Sequence, residues 1–203
     1  SWQNPGEFFE INVLGTQQVL EYCRLVDACM VYVSAFVYAS TCSSPVSEHA
    51  VLAPSNPYAE TKRIGEELCQ FYCKAYGVTS VIARPFNVFG ADQSRDFLIP
   101  SIIDQVISER REINVKDLRP IRDYLYIKDL LTALYRIGEM AESNKGATCN
   151  IFNVGTGRGY SVEDVVGIIQ GIWGSSKELK STNVPRKNEI LESVADIRRI
   201  KRS

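Results

Sequence analysis

The chain has 203 residues, 45% of them hydrophobic and 23% charged, which excludes disorder and is enough to bury a sizeable core. A formal charge of −1 provides no basic field, so nucleic acid and anionic membranes are not expected partners. No apolar run approaches the length of a membrane span. The six cysteines form no C-x-x-C pair, and the single histidine, His49, has no second histidine to join it on a metal. Reduced thiols in a cytoplasmic protein, with no metal site and no disulfide framework, are therefore expected. The opening Ser1-Trp2-Gln3-Asn4-Pro5 reads as a sequence entered partway.

In chain order, residues 7–26 carry apolar side chains near helical period, interrupted by Asn12 and by Gly15-Thr16. An asparagine on the buried face of such a helix needs polar partners and often touches a functional site. Residues 28–33 form a short apolar run of the kind expected for a buried parallel strand. They lead into Ser34-Ala35-Phe36-Val37-Tyr38-Ala39-Ser40, read as a loop at the strand's C-terminal edge, where open α/β sheets bind ligands. Residues 41–57 read as a loop across a surface. A helix is predicted from Pro57 to about Tyr76, stopped by Gly77. Residues 78–84 are the next buried strand, followed by Pro85-Phe86-Asn87-Val88-Phe89-Gly90.

Beyond residue 90 the pattern predicts helices over 100–109 and 129–142, and strands over 112–115, 119–127 and 150–155. Gly155-Thr156-Gly157-Arg158-Gly159 superficially resembles a phosphate cradle but lacks the trailing spacing of G-x-G-x-x-G. Ser161-Val162-Glu163-Asp164 is a capping-box pattern before a last helix, 162–173, and 177–203 reads as a charged, irregular tail. The alternation of helix and strand through residue 90 predicts a doubly wound parallel α/β sheet, with a smaller mixed lobe after it.

The chemistry centres on Asn56-Pro57-Tyr58-Ala59-Glu60-Thr61-Lys62. Tyr58 and Lys62 are four residues apart, so on a helix they share a face one turn apart. An ammonium beside a phenol favours the phenolate and is expected to lower the tyrosine's pKa from about 10. Such a tyrosine can exchange a proton with a substrate hydroxyl or carbonyl. Alone, each signal has a bland reading. Y-x-x-x-K is usually a surface pair, Asn87 a turn cap, Arg122 beside Asp123 a local salt bridge, and Arg186 a solvated charge.

Taken in order, the stretches carry more. Asn12-Val13-Leu14-Gly15-Thr16, Ser34 to Tyr38, Pro57 to Lys62, Arg84 to Gly90, Arg122 to Asp129 and Asn153 to Gly157 together resemble the extended short-chain dehydrogenase/reductase superfamily. The likeness is to its NAD-dependent nucleotide-sugar epimerase/dehydratase branch. The resemblance implies a Rossmann-like NAD(P)-binding fold whose N-terminal part is missing. Residues 1–90 would be the C-terminal part of the dinucleotide-binding domain. Residues 91–203 would be mainly a substrate-binding lobe, with 119–160 returning strands and a helix to the core.

The resemblance also implies roles. Tyr58 would be the acid/base, Lys62 would hold the nicotinamide ribose, and Ser34 would orient the sugar oxygen and share the proton. Asn12, Pro85 and Phe86 would join Ser34, Tyr58 and Lys62 at the cofactor. Asn87 would contact the substrate's phosphate or sugar, and Leu98 would line the nucleotide pocket. Arg122 and Arg186 would hold the diphosphate, a job suited to guanidinium, and Glu189 would meet the ribose.

Two departures matter. The G-x-x-G-x-x-G dinucleotide fingerprint is absent, which would leave the first strand with an open edge, and the acidic residue that would decide NAD against NADP falls in the same missing region. Dehydratases of the branch carry Asp-Glu directly after the catalytic hydroxyl, whereas this chain has Ala35-Phe36. The expectation is an NAD-dependent nucleotide-sugar epimerase, an isomerase that passes through a keto-sugar. It would pair as a homodimer through helices at about 10–25 and 58–76. The alternatives are an NADPH-dependent keto-deoxysugar reductase, a dehydratase or decarboxylase relative, and a catalytically silent scaffold.

Overall fold

The computed structural model of the protein describes residues 1–39, 42–184 and 190–203, so Arg186 and Glu189 lie outside the described residues. The N-terminal helical run is α1 (Pro5–Phe9), a π-helical turn over Glu10–Leu14, and α2 (Gly15–Val26). It is followed by β1 (Met30–Val33), α3 (Pro57–Tyr76), β2 (Ser80–Pro85), β3 (Asn87–Phe89) and α4 (Leu98–Ile107). Then come β4 (Glu112–Val115), β5 (Ile121–Arg122), β6 (Tyr124–Tyr126), α5 (Ile127–Ser143) and β7 (Cys149–Val154). The remainder is β8 (Tyr160–Ser161), α6 (Val162–Trp173), β9 (Glu178–Ser181), β10 (Glu192–Ser193) and a short 3-10 turn over Ile200–Arg202.

The central sheet is parallel, in the order β1-β2-β7, with Met30 opposite Ser80 and Ser80 opposite Cys149. Side chains of β2 alternate between its two faces. Val81 and Ala83 pack with Leu130, Ile137 and Ala141 of α5, while Ile82 packs with Leu20 of α2 and Cys69 and Tyr72 of α3. A strand buried on both faces reads as a continuous apolar run, and helices on both sides make the sheet doubly wound, as the sequence predicts. Among the described residues, β1 has a strand partner on one side only. No helix among them is long and apolar enough to cross a membrane.

The second apolar cluster joins Ile102 and Val106 of α4, Ile113 and Val115 of β4, and Val162, Val165 and Val166 of α6. The predicted capping box is present: the Ser161 hydroxyl accepts from the Asp164 N–H at 3.0 Å, and Asp164 accepts from the Ser161 N–H at 2.8 Å.

Three expectations need correction. The strand expected over 119–127 is broken into β5 and β6 at Asp123. The Asp123 carboxylate turns inward and accepts from the backbone of Thr156, Gly157 and Ala195 at 2.8, 2.9 and 3.2 Å. It therefore ties down the glycine turn; a Cβ on Gly155 would lie 2.7 Å from its Oδ2. The tail is not irregular throughout, since β9 pairs with β4 and β10 with β5. Residues 42–57 do not merely cross a surface. Val46 is buried with Tyr38, Phe86 and Ala195, and its N–H donates to the Val194 carbonyl at 2.8 Å.

Helix α3 carries the central motif and sits close against the sheet. A Cβ on Gly65 would lie 2.1 Å from the hydroxyl oxygen of Tyr32, which is buried and donates to the Lys62 carbonyl at 3.2 Å. Overpacking costs about 1–3 kcal/mol, more than the gain of about 1 kcal/mol from replacing a helical glycine by alanine. Gly65→Ala is expected to lower the urea midpoint of unfolding; an unchanged or raised midpoint would contradict this packing.

Candidate active site

Helix α3 starts where its sequence requires. The Asn56 side chain accepts the Ala59 N–H at 2.9 Å, Pro57 occupies the first turn, and Gly77 ends the helix at φ 77°. The motif is thus held on a regular helix, with Tyr58 and Lys62 one turn apart.

At the C-terminal ends of β1 and β2 lies a cleft of about 880 Å³. Ser34 follows β1, Pro85 and Phe86 close β2, and Asn87 opens β3; all four line the cleft, as do Tyr58, Leu98 and Arg122. Seven of the expected site residues therefore converge. Two do not line it. The Lys62 ammonium donates to the Val33 carbonyl at 3.0 Å, 5.9 Å from the centroid of the Tyr58 ring. Asn12 lies in the π-helical turn, and its side-chain amide donates to Thr61 Oγ1 at 3.0 Å. Thr61 in turn donates to the Tyr58 carbonyl at 2.8 Å, so Asn12 braces the first turn of α3. A π-helical insertion of this kind often marks a functional site.

The expected charge effect on Tyr58 is reversed in the protein alone. Burial pushes the Tyr58 phenol above its ordinary value and pushes the Lys62 ammonium below its own. Lys62 is spent on a backbone carbonyl and sits over the rings of Tyr32 and Tyr58, at 5.2 and 5.9 Å from their centroids. With both groups partly desolvated, burial outweighs their mutual attraction. The phenol is accordingly protonated at neutral pH.

Around Ser34 the cleft is apolar on one side. Ala35 and Phe36 line it, and Phe36 packs edge-on against Phe86 at 5.3 Å between centroids. Asp117 also lines the cleft, but hydrogen bonds from Arg119 hold its carboxyl down to about 2, so it serves as no proton donor. Asp123 is no local partner for Arg122 of the kind the sequence suggests, since its oxygens face the glycine turn; the Arg122 guanidinium donates to the Ile121 carbonyl at 3.0 Å. Lys116 and Asn114, at the end of β4, also line the cleft and were not anticipated from sequence.

The largest omission from the sequence reading lies behind Ser34. Its hydroxyl donates to Glu66 Oε1 at 2.5 Å, and Glu66 is paired with Arg84 through Nε–Oε1 at 2.8 Å and Nη2–Oε2 at 2.5 Å. Glu66 and Arg84 are 1% and 2% exposed. The signal was readable: Glu66 is eight residues after Tyr58 on the same helix face, where a charge must find a partner.

The model of the NAD dependent epimerase/dehydratase family matches residues 1–155. A UDP-glucose 4-epimerase of Halalkalibacterium halodurans is 30% identical over 192 residues, covering 86% of this chain and 57% of that protein. A GDP-6-deoxy-D-talose 4-dehydrogenase of Aggregatibacter actinomycetemcomitans is 26% identical, covering 95% of this chain and 65% of that one. The chain thus spans 57% and 65% of the length of these two relatives. Among solved structures, a UDP-glucose 4-epimerase from Brucella ovis in complex with NAD superposes with a TM-score of 0.84 at 29% identity, covering 96% of this chain and 65% of that one.

In the ligand-free chain, a tyrosinate titration should lose one ionisation with a midpoint above 10 when Tyr58 is replaced by Phe. Loss of an ionisation below 10 instead would contradict the effect of burial.

Proposed function

We propose, from the premise that this chain belongs to the NAD dependent epimerase/dehydratase family, that the whole protein is an NAD-dependent epimerase of nucleotide-diphosphate sugars. The observation that carries this reading is the convergence of Ser34, Tyr58, Asn87, Leu98 and Arg122 on one cleft at the strand ends. The division into a dinucleotide-binding part up to residue 90 and a mainly substrate-binding lobe after it is part of the same proposal.

The residues present suit the nicotinamide end of a dinucleotide: a phenol and an ammonium one turn apart at the open C-terminal edge of β1 and β2. When bound, the nicotinamide supplies a hydride acceptor that can return the hydride. Lys62 holds the adjoining ribose, and Asn12 keeps the first turn of α3 in place through Thr61. Pro85 and Phe86 wall the cleft beside it. Tyr58 exchanges the proton of the reacting sugar hydroxyl, which Ser34 orients. Arg122 binds the diphosphate, Asn87 the phosphate or sugar, and Leu98 packs on the nucleotide. Arg186 and Glu189 are proposed to complete the nucleotide site.

Epimerisation is favoured over dehydration because Ala35 and Phe36 place no carboxyl group beside Ser34 to drive loss of water. A second reading, a reductase of keto-sugars using NADPH, is favoured by the likeness to the 4-dehydrogenase. Homodimerisation is supported by the exposed Ile11, Leu14 and Tyr22 along the N-terminal helical run and the exposed Phe71 and Tyr76 on α3. A cytoplasmic location is supported by six cysteines that are all free thiols.

The full-length protein should interconvert two 4-epimeric nucleotide sugars, followed by proton NMR, with no net change in nicotinamide absorbance. Tyr58→Phe should lower kcat by roughly 10²–10⁴-fold, the usual contribution of a positioned proton-transfer group. Arg122→Ala should mainly raise KM, by about 10–100-fold, for loss of charged hydrogen bonds worth about 1.5–3 kcal/mol. Net consumption of NADPH would favour the reductase, and full activity of Tyr58→Phe would contradict both readings.

A further inference from the structure

Behind Ser34 the cleft is backed by a buried polar chain whose other members the proposed mechanism does not use. Ser34, Glu66, Arg84, Tyr38 and Asn153 are each no more than 2% exposed. Ser34 Oγ and Arg84 Nε both donate to Glu66 Oε1, at 2.5 and 2.8 Å, and Arg84 Nη2 donates to Oε2 at 2.5 Å. Arg84 Nη1 donates to the Tyr38 hydroxyl at 2.9 Å and to the Glu48 carbonyl at 3.0 Å. The Tyr38 hydroxyl donates to Asn153 Oδ1, and Asn153 Nδ2 donates to the Val46 carbonyl at 2.8 Å. The direction of every bond in this chain follows from its ends. Guanidinium has only donors, a carboxylate bound by it has only acceptors, and a serine hydroxyl has a single proton.

We propose that Glu66, clamped by Arg84, is a positioning residue for Ser34: it takes the only hydroxyl proton of Ser34, which therefore meets the substrate with lone pairs alone. Ser34 then accepts a hydrogen bond from the sugar hydroxyl and has no proton of its own to share with the sugar. An acceptor of this kind bonds the alcohol form of the sugar and not the ketone formed from it. Proton exchange is left to Tyr58. This deepens the epimerase reading and rests on it for its effect on turnover.

The ion pair makes a simple test ambiguous, because Glu66→Gln alone strands a buried guanidinium and breaking such a pair is strongly destabilising. The paired change Glu66→Leu with Arg84→Met removes both charges and leaves no side-chain acceptor for the Ser34 proton. It should be made in the full-length protein in two backgrounds, native and Ser34→Ala, with kcat and KM measured per folded molecule. In the native background kcat should fall about tenfold or more, a part of the usual effect of positioned proton-transfer groups, with KM little changed. In the Ser34→Ala background the same change should cost nothing further. Equal losses in both backgrounds, or unaltered kcat in the native one, would overturn the proposal.

Turnover is not the only readout. Isotope-edited infrared spectroscopy of Glu66 should show its carboxylate band shifted by Ser34→Ala, and an unshifted band would also overturn the proposal. A parent protein inactive on every nucleotide sugar would sink the functional reading, while the band still decides the contact.

Discussion

The ion pair between Glu66 and Arg84 is the contact on which the site's geometry depends. It joins the second turn of α3 beyond Tyr58 to the core strand β2, and its carboxylate reaches the first residue after β1. Two charges removed from water are costly unless every donor and acceptor is matched, and here they are matched by Ser34, Tyr38 and the Glu48 carbonyl. The register of α3 on the sheet is therefore fixed by polar bonds as well as by packing. Tyr58 and Lys62, on the same face, inherit that register.

The second constraint is closeness. Gly65 lets α3 approach the Tyr32 ring, and Asn12 ties the N-terminal helical run to Thr61. Ser34 and Asn87 then follow from the ends of β1 and β2, and Arg122 from β5, which Asp123 anchors through the turn at Thr156 and Gly157. The cleft residues at strand ends and the phenol at a helix start are thus held on rigid elements. Such rigidity is what precise alignment of a hydroxyl and a phenol demands.

Much of this was legible in the sequence. Pro57 and Gly77 mark both ends of α3, the apolar runs mark β1 and β2, and Ser161 with Asp164 marks the start of α6. What escaped was decided by partners distant in the chain. The three-residue β3 is a strand only because β6 pairs with it, and β9 and β10 exist because β4 and β5 accept them. Asp123 splits a predicted strand because Thr156 and Gly157, more than thirty residues on, offer it N–H groups. The spacing of Tyr58 and Lys62 was readable; the sign of the electrostatic effect was not, because it depends on how far the surrounding fold desolvates each group. Arg186 and Glu189 fall outside the described residues.

The central claim is a self-contained redox cycle on a nucleotide sugar, and it is tested most directly by the nucleotide that the full-length protein carries when purified. The protein should be denatured and the released small molecules identified by mass spectrometry and absorbance. Tightly held NAD in near-equal amount to protein is the predicted result. A protein that emerges empty and takes up only added NADPH would contradict the epimerase and establish the reductase, and one that binds neither would contradict both.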